Sequence, residues 1–219
     1  MNQLDCVLQA VCPTVCCPRY ERLTLLDSDG HRFLMAEDGV HVEVLRPWLH
    51  VISKVSEVAV KMPYGQVPAL FKINLHRRAL AAGLRRFIGR AAELAPDEHA
   101  AWLTFDPDQG VIGYVEPHVI SRGCEHIQYR RPDATPSCLP VVDCHSHGAF
   151  PAFFSGTDDK DDRTDDAKLA FVVGNLDRPT PSVAMRLSMM GLSIDLSEFV
   201  RSILDHSPTA TDGGTENQS

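Results

Sequence analysis

No stretch of this chain approaches the ~18 consecutive apolar residues that a membrane-spanning helix needs, so none is expected. The first residues, MNQLDCVLQAVC, carry an early aspartate and no basic run, which makes them a poor secretion leader. Basic charge is also in short supply. Lys and Arg number 21 against 29 Asp and Glu, and a net charge of −8 removes the electrostatic case for nucleic acid. A paired cysteine framework is missing too: the seven cysteines are odd in number, and four of them, Cys6, Cys12, Cys16 and Cys17, crowd into the start. The CxxxCC cluster of Cys12, Cys16 and Cys17 has no matching second pair of metal ligands, and ordinary thiols are the simpler reading. A cytoplasmic protein is expected.

What is present is an ordinary globular composition, 44% hydrophobic and 23% charged over 219 residues, long enough for a well-buried domain with a smaller appended part. RLTLL, HRFLMA and VHVEVL, punctuated by Asp29-Gly30 and Asp38-Gly39, read as a strand meander, with another strand or two in the residues that follow. A long helix is expected where Leu80, Leu84, Phe87, Ile88 and Ala91 recur at helical spacing, ended by Pro96. Its arginines, Arg77, Arg78, Arg85, Arg86 and Arg90, are expected on a solvated face. Strands follow in HAAWLTF, VIGYVEPHVI, LPVVDCHSH, AKLAFVVGNL and PSVAMRLSMMGLSIDL, residues 122–137 read as a loop, and LSEFVRSILDH closes as a helix. The expected organisation is a β-rich region over residues 1–62, an α/β or α+β domain over 63–206, and a polar, disordered tail over 207–219.

The chemistry concentrates in VVDCHSHGAFPAFFSGTDDKDD. On a strand, residues i and i+2 share a face, so His145 and His147 present two imidazoles side by side, a good zinc pair. If a helix starts near Ser155, then Ser155 and Asp158 face the same way, and Asp158 supplies the third ligand of a site that keeps one position open. A water held there needs a proton acceptor. Glu98, between the long helix and a strand, is the candidate base, with Glu93, Glu116 and Glu125 as rivals. The aspartates beyond Asp158, namely Asp159, Asp161, Asp162, Asp165 and Asp166, read as a solvated loop or helix start, with a patch for a basic partner as the alternative. They do not make an EF-hand loop, since the sixth residue from Asp158 is Arg163 and the twelfth Leu169, where glycine and glutamate are required.

HSHGAFPAFFSGTD resembles the HxHx7SxxD motif of the JAMM/MPN metalloproteases, also called JAB domains, and PDEHAAWL is similar to their PxExxGxL stretch. The resemblance covers roughly residues 66–200 and, through FPAFFSGTDD, points in particular to the JAMM domains of bacterial PRTRC cassettes. It implies a cytidine-deaminase-like mixed sheet flanked by helices, a Zn2+ held by His145, His147 and Asp158, Glu98 as general base and acid, and Ser155 supporting an oxyanion. It also implies a ubiquitin-like protein as substrate and a ThiF-like activating enzyme as a cassette partner. Ala101 stands where the family has glycine.

Two other readings compete. DCHSH also resembles the DxHxH opening of amidohydrolase barrels, but the 72 residues after His147 contain one further histidine, too few for the remaining ligands of such a barrel. The stronger competitor is a JAMM-like scaffold without catalysis, and the presence of all five site residues favours the enzyme.

Overall fold

The computed structural model describes residues 2–124, 126–163 and 167–205. Two units emerge. The first is built on the chain up to His76, with Phe105–Val111 and Thr135–Leu139, and the second on Arg77–Thr104, Ile112–Ala134 and the chain from Pro140 onward.

The first unit starts with α1 (Gln3–Val11), capped by the Asn2 side chain, which accepts from the Leu4 N–H at 2.9 Å. Leu4, Val7, Leu8 and Val11 lie exposed along it. A five-stranded sheet follows in the order β1 (Thr14–Cys16), β2 (Gly30–Ala36), β3 (Gly39–Arg46), β4 (Leu49–Glu57) and β5 (Phe71–Ile73). The expected strand RLTLL does not form. Its backbone groups find side chains instead: Glu43 Oε1 accepts the Leu26 N–H at 2.8 Å, and Arg32 donates to the Thr24 carbonyl. The sheet edge goes to β1, parallel to β2. At the β2–β3 turn Gly39 has φ +145°, and a Cβ there would stand 2.0 Å from the Ser56 carbonyl, so only glycine fits. The first unit runs past residue 62 because β5 pairs with β4 and Gly65 N–H bonds the Cys17 carbonyl.

The second unit opens with α2 (Arg77–Leu94), whose apolar stripe buries Leu80, Ala81, Leu84, Phe87 and Ala91, while Ile88 is half-buried. Its arginines are not simply solvated. Arg85 donates to the carbonyls of Ile203 and Leu204, satisfying the end of α4 (Ser197–Asp205). Arg86 lies 4.1 Å over the Tyr114 ring, and Arg90 pairs with Glu93 and Glu116.

A six-stranded sheet runs in the order β13 (Leu192–Asp195), β12 (Ser182–Met189), β11 (Ala167–Gly174), β10 (Leu139–Ser146), β6 (Ala100–Asp106), β7 (Val111–Val115). β10 and β11 are parallel, which demands a crossover, and the crossover contains α3 (Gly156–Asp162). The sheet is mixed, since β11 and β12 are antiparallel, and with its helices this is the α+β architecture expected. Residues 122–137 are not a plain loop: β8 (His118–Arg122) and β9 (Ile127–Arg130) pair as a separate hairpin. The tail over 207–219 lies outside the described residues.

Candidate metal centre

The site grows from the C-terminal end of β10. Alternation points Ser146 to one face, where its Oγ accepts the His99 N–H at 2.8 Å, while its own N–H bonds the His99 carbonyl at 2.9 Å. Those two bonds fasten the segment carrying Glu98 beside the strand carrying the histidines. His145 and His147 share the other face, their Nε2 atoms 3.2 Å apart and their rings 5.1 Å between centroids. His147 lies just beyond the strand, held by its N–H on the Val173 carbonyl at 2.8 Å. Gly148 follows with φ +54°, and a Cβ would meet the Pro96 carbonyl at 2.9 Å, so glycine lets the chain leave the strand there. His147 Nδ1 lies 3.3 Å from the Pro151 carbonyl, which selects the tautomer that frees Nε2.

Asp158 arrives from α3. Ser155 is its N-cap and the two form a capping box. Asp158 Oδ2 accepts from both the Ser155 N–H and the Ser155 hydroxyl at 2.6 Å, while the Asp158 N–H donates to Ser155 Oγ at 3.3 Å. The other oxygen, Oδ1, is 3.4 Å from His145 Nε2. The SxxD spacing is therefore the spacing of a cap, and it divides the carboxylate between helix and histidines. Asp159 turns to Arg186 instead, at 2.7 Å.

The ligand atoms of His145, His147 and Asp158 all lie within 4.8 Å of one another, the one such group of three among the described residues. Tetrahedral zinc with bonds of about 2.0–2.2 Å spaces its ligand atoms about 3.3 Å apart. The 3.2 Å and 3.4 Å separations about His145 suit it, and the His147–Asp158 pair closes only within 4.8 Å. Protonation suits it as well. Burial, then the proximity of His145, lowers the pKa of His147 and leaves a neutral imidazole. Burial opposes ionisation of Asp158, but His145 and the Ser155 hydrogen bonds outweigh it and hold the carboxyl below its ordinary value.

All three ligands line a cavity of about 650 Å³ together with Glu98 and Ser155. Glu98 is buried, its N–H bonded to the Gly123 carbonyl at 2.9 Å. Burial first, and the Asp158 charge second, push its pKa up to about 7. Among its rivals, Glu93 and Glu116 are committed to Arg90 and do not line the cavity, and Glu125 lies outside the described residues.

The sequence reading missed Asp143, Tyr129, Arg131 and Lys168, which line the same cavity. Asp143 carried a signal: it precedes His145 by two on the same strand face. It accepts from the Tyr129 hydroxyl at 2.7 Å and from Lys168 at 3.1 Å. Tyr129 and Arg131 escaped notice because their segment read as loop. The acidic run needs correcting too. Asp162 is buried and, with Asp159, ion-paired, so only part of the run is solvated, while Asp165 and Asp166 lie outside the described residues.

Residues 2–74 match a family described as a domain of unknown function (DUF2016), and residues 80–188 match the prokaryotic homologs of the JAB domain. No curated protein matches. Among solved structures, the solution structure of protein DSY2949 from Desulfitobacterium hafniense is similar at 16% identity and a TM-score of 0.40, over 52% of this chain and 85% of that one, too distant a likeness to carry functional weight. No described helix is long and apolar enough to cross a membrane. The stretch that is similar to the prokaryotic homologs of the JAB domain is the one that carries Glu98, His145, His147, Ser155 and Asp158.

Proposed function

We propose that the protein is a zinc-dependent metalloprotease of JAMM type, cleaving a peptide or isopeptide bond at the C-terminus of a ubiquitin-like protein. The observation that carries this reading is the trio His145, His147 and Asp158, with ligand atoms within 4.8 Å, facing a cavity shared with a buried glutamate. Zinc held by the trio would supply Lewis acidity and would lower the pKa of a bound water toward ~7.

The chain's own residues do the rest. Glu98, with a pKa of about 7, is poised near neutrality to take a proton from water and return it to the leaving amine. The Ser155 hydroxyl donates its single proton to Asp158 Oδ2, so its first task is to orient that ligand. Its support of an oxyanion requires that bond to be exchanged. The JAB-domain match and the resemblance to PRTRC-cassette domains favour a bacterial, cytoplasmic setting, with a ThiF-like activating enzyme as partner.

Zinc content decides the reading. About one zinc per chain is expected in wild type, lost in His147→Ala and in Asp158→Ala; zinc retained in both would sink the assignment. With zinc bound, Glu98→Gln should abolish cleavage of a ubiquitin-like fusion while keeping the metal. A wild type that holds zinc and cleaves nothing would return the protein to the scaffold reading.

A further inference from the structure

The second unit buries two cations, Lys168 and Arg186, only 3% and 8% exposed. Burying cations is costly, and replacing buried ion pairs by apolar residues is often neutral or stabilising. Stability alone is therefore a weak account of them, and their partners suggest another.

Lys168, on β11, bridges two carboxylates: Asp143 Oδ2 at 3.1 Å and Asp162 Oδ1 at 2.9 Å. Asp143 stands two residues before His145 on the same face of β10, and Asp162 ends α3. Arg186, on β12, donates through Nε to Asp162 Oδ2 and through Nη1 to Asp159 Oδ1, each at 2.7 Å. Its guanidinium also lies 4.0 Å over the ring of Phe154, the residue before the cap of α3. Ser188 adds a third donor to Asp162 at 3.1 Å. Arg186 thus holds α3 from both ends, and Lys168 ties α3 to the histidine strand. A seven-residue helix has little stability of its own. Metal ligands, by contrast, must be placed to within about 0.5 Å.

We propose that Lys168 and Arg186 are positioning residues for the metal centre: through Asp143, Asp159 and Asp162 they set α3, and with it Asp158, against the strand that carries His145 and His147. This rests on the zinc reading above. Each acts by holding the backbone that presents the ligands.

The test is the zinc affinity of the folded, full-length chain, measured by competition with a chromophoric chelator below the melting temperature of the zinc-free form. Lys168→Met and Arg186→Met should weaken zinc binding about tenfold or more, and Arg186→Lys, which keeps the charge but loses the fork, should recover part of it. The melting temperature of each zinc-free variant is read beside it. Variants that bind zinc as tightly as wild type, whatever their zinc-free melting temperature, would make the network merely structural and overturn the proposal. Should Arg186→Met not fold, Lys168→Met and Arg186→Lys decide the matter by the same criterion. The two failures stay distinct. Unchanged zinc here with zinc lost in His147→Ala overturns only the positioning role, whereas a wild type that binds no zinc overturns the metal reading and this proposal with it.

Discussion

At the scale of single residues, Glu98 is the most informative side chain. Its carboxyl titrates near 7 because it is buried and near Asp158. A carboxyl whose folded pKa is raised contributes stability that is fully present below its ordinary pKa and lost as pH rises through the folded value. Zinc-free wild type should therefore lose stability between about pH 4.5 and pH 7, the interval between the ordinary and folded pKa values. Glu98→Gln has no proton to lose there. Urea midpoints of zinc-free protein at pH 5 and pH 8 should fall further in wild type than in Glu98→Gln. Equal falls in the two proteins would show that Glu98 is ionised throughout and that its burial is not felt.

At the scale of elements, α3 decides whether the site exists. The Ser155–Asp158 capping box fixes both the start of the helix and the rotation of the carboxylate. Ser155→Ala removes the cap, at a cost of about 1 kcal/mol, and leaves Asp158 Oδ2 without its hydroxyl partner. Weaker zinc binding and a lower denaturant midpoint are the expected outcome. A zinc titration that superposes on wild type, with turnover reduced ~10²–10³-fold, would instead assign Ser155 to the oxyanion alone. The pairing of β10 with β11 is the other elementary requirement, since it forces the crossover that brings α3 back over the histidines.

At the scale of the whole molecule, metal binding and folding are linked. Free zinc at about a hundred times its dissociation constant adds about 2.7 kcal/mol. For a chain of this size that is a melting-temperature rise of about 5–10 °C. Removing zinc with a chelator should lower the transition by that amount in wild type and leave that of His147→Ala where it was. An equal response in both would place the metal elsewhere, with the N-terminal cysteines the first suspects.

Much of this was legible along the chain because it is local. The alternation in VVDCHSH is enough to put two imidazoles on one strand face, and the SxxD spacing is enough to cap a helix with an aspartate at its third position. The stripe on α2 and the buried strands followed from period alone. Three features did not. RLTLL alternates like a strand, but its backbone partners belong to Glu43 and Arg32, 17 and 8 residues away. The β8–β9 hairpin hides in a segment of prolines and polar residues, so the wall carrying Tyr129 and Arg131 gave no periodic signal. Asp162, Lys168 and Arg186 look like surface charges in sequence, and only the packing of α3 against β11 and β12 buries them as a network. The residue types and spacing of the candidate ligand trio were thus determined by the sequence itself, through the periods of strand and helix. The burial of Glu98 beside the candidate ligands and the bracing of Asp158 were decided by tertiary structure, because both depend on which distant side chains share one buried volume.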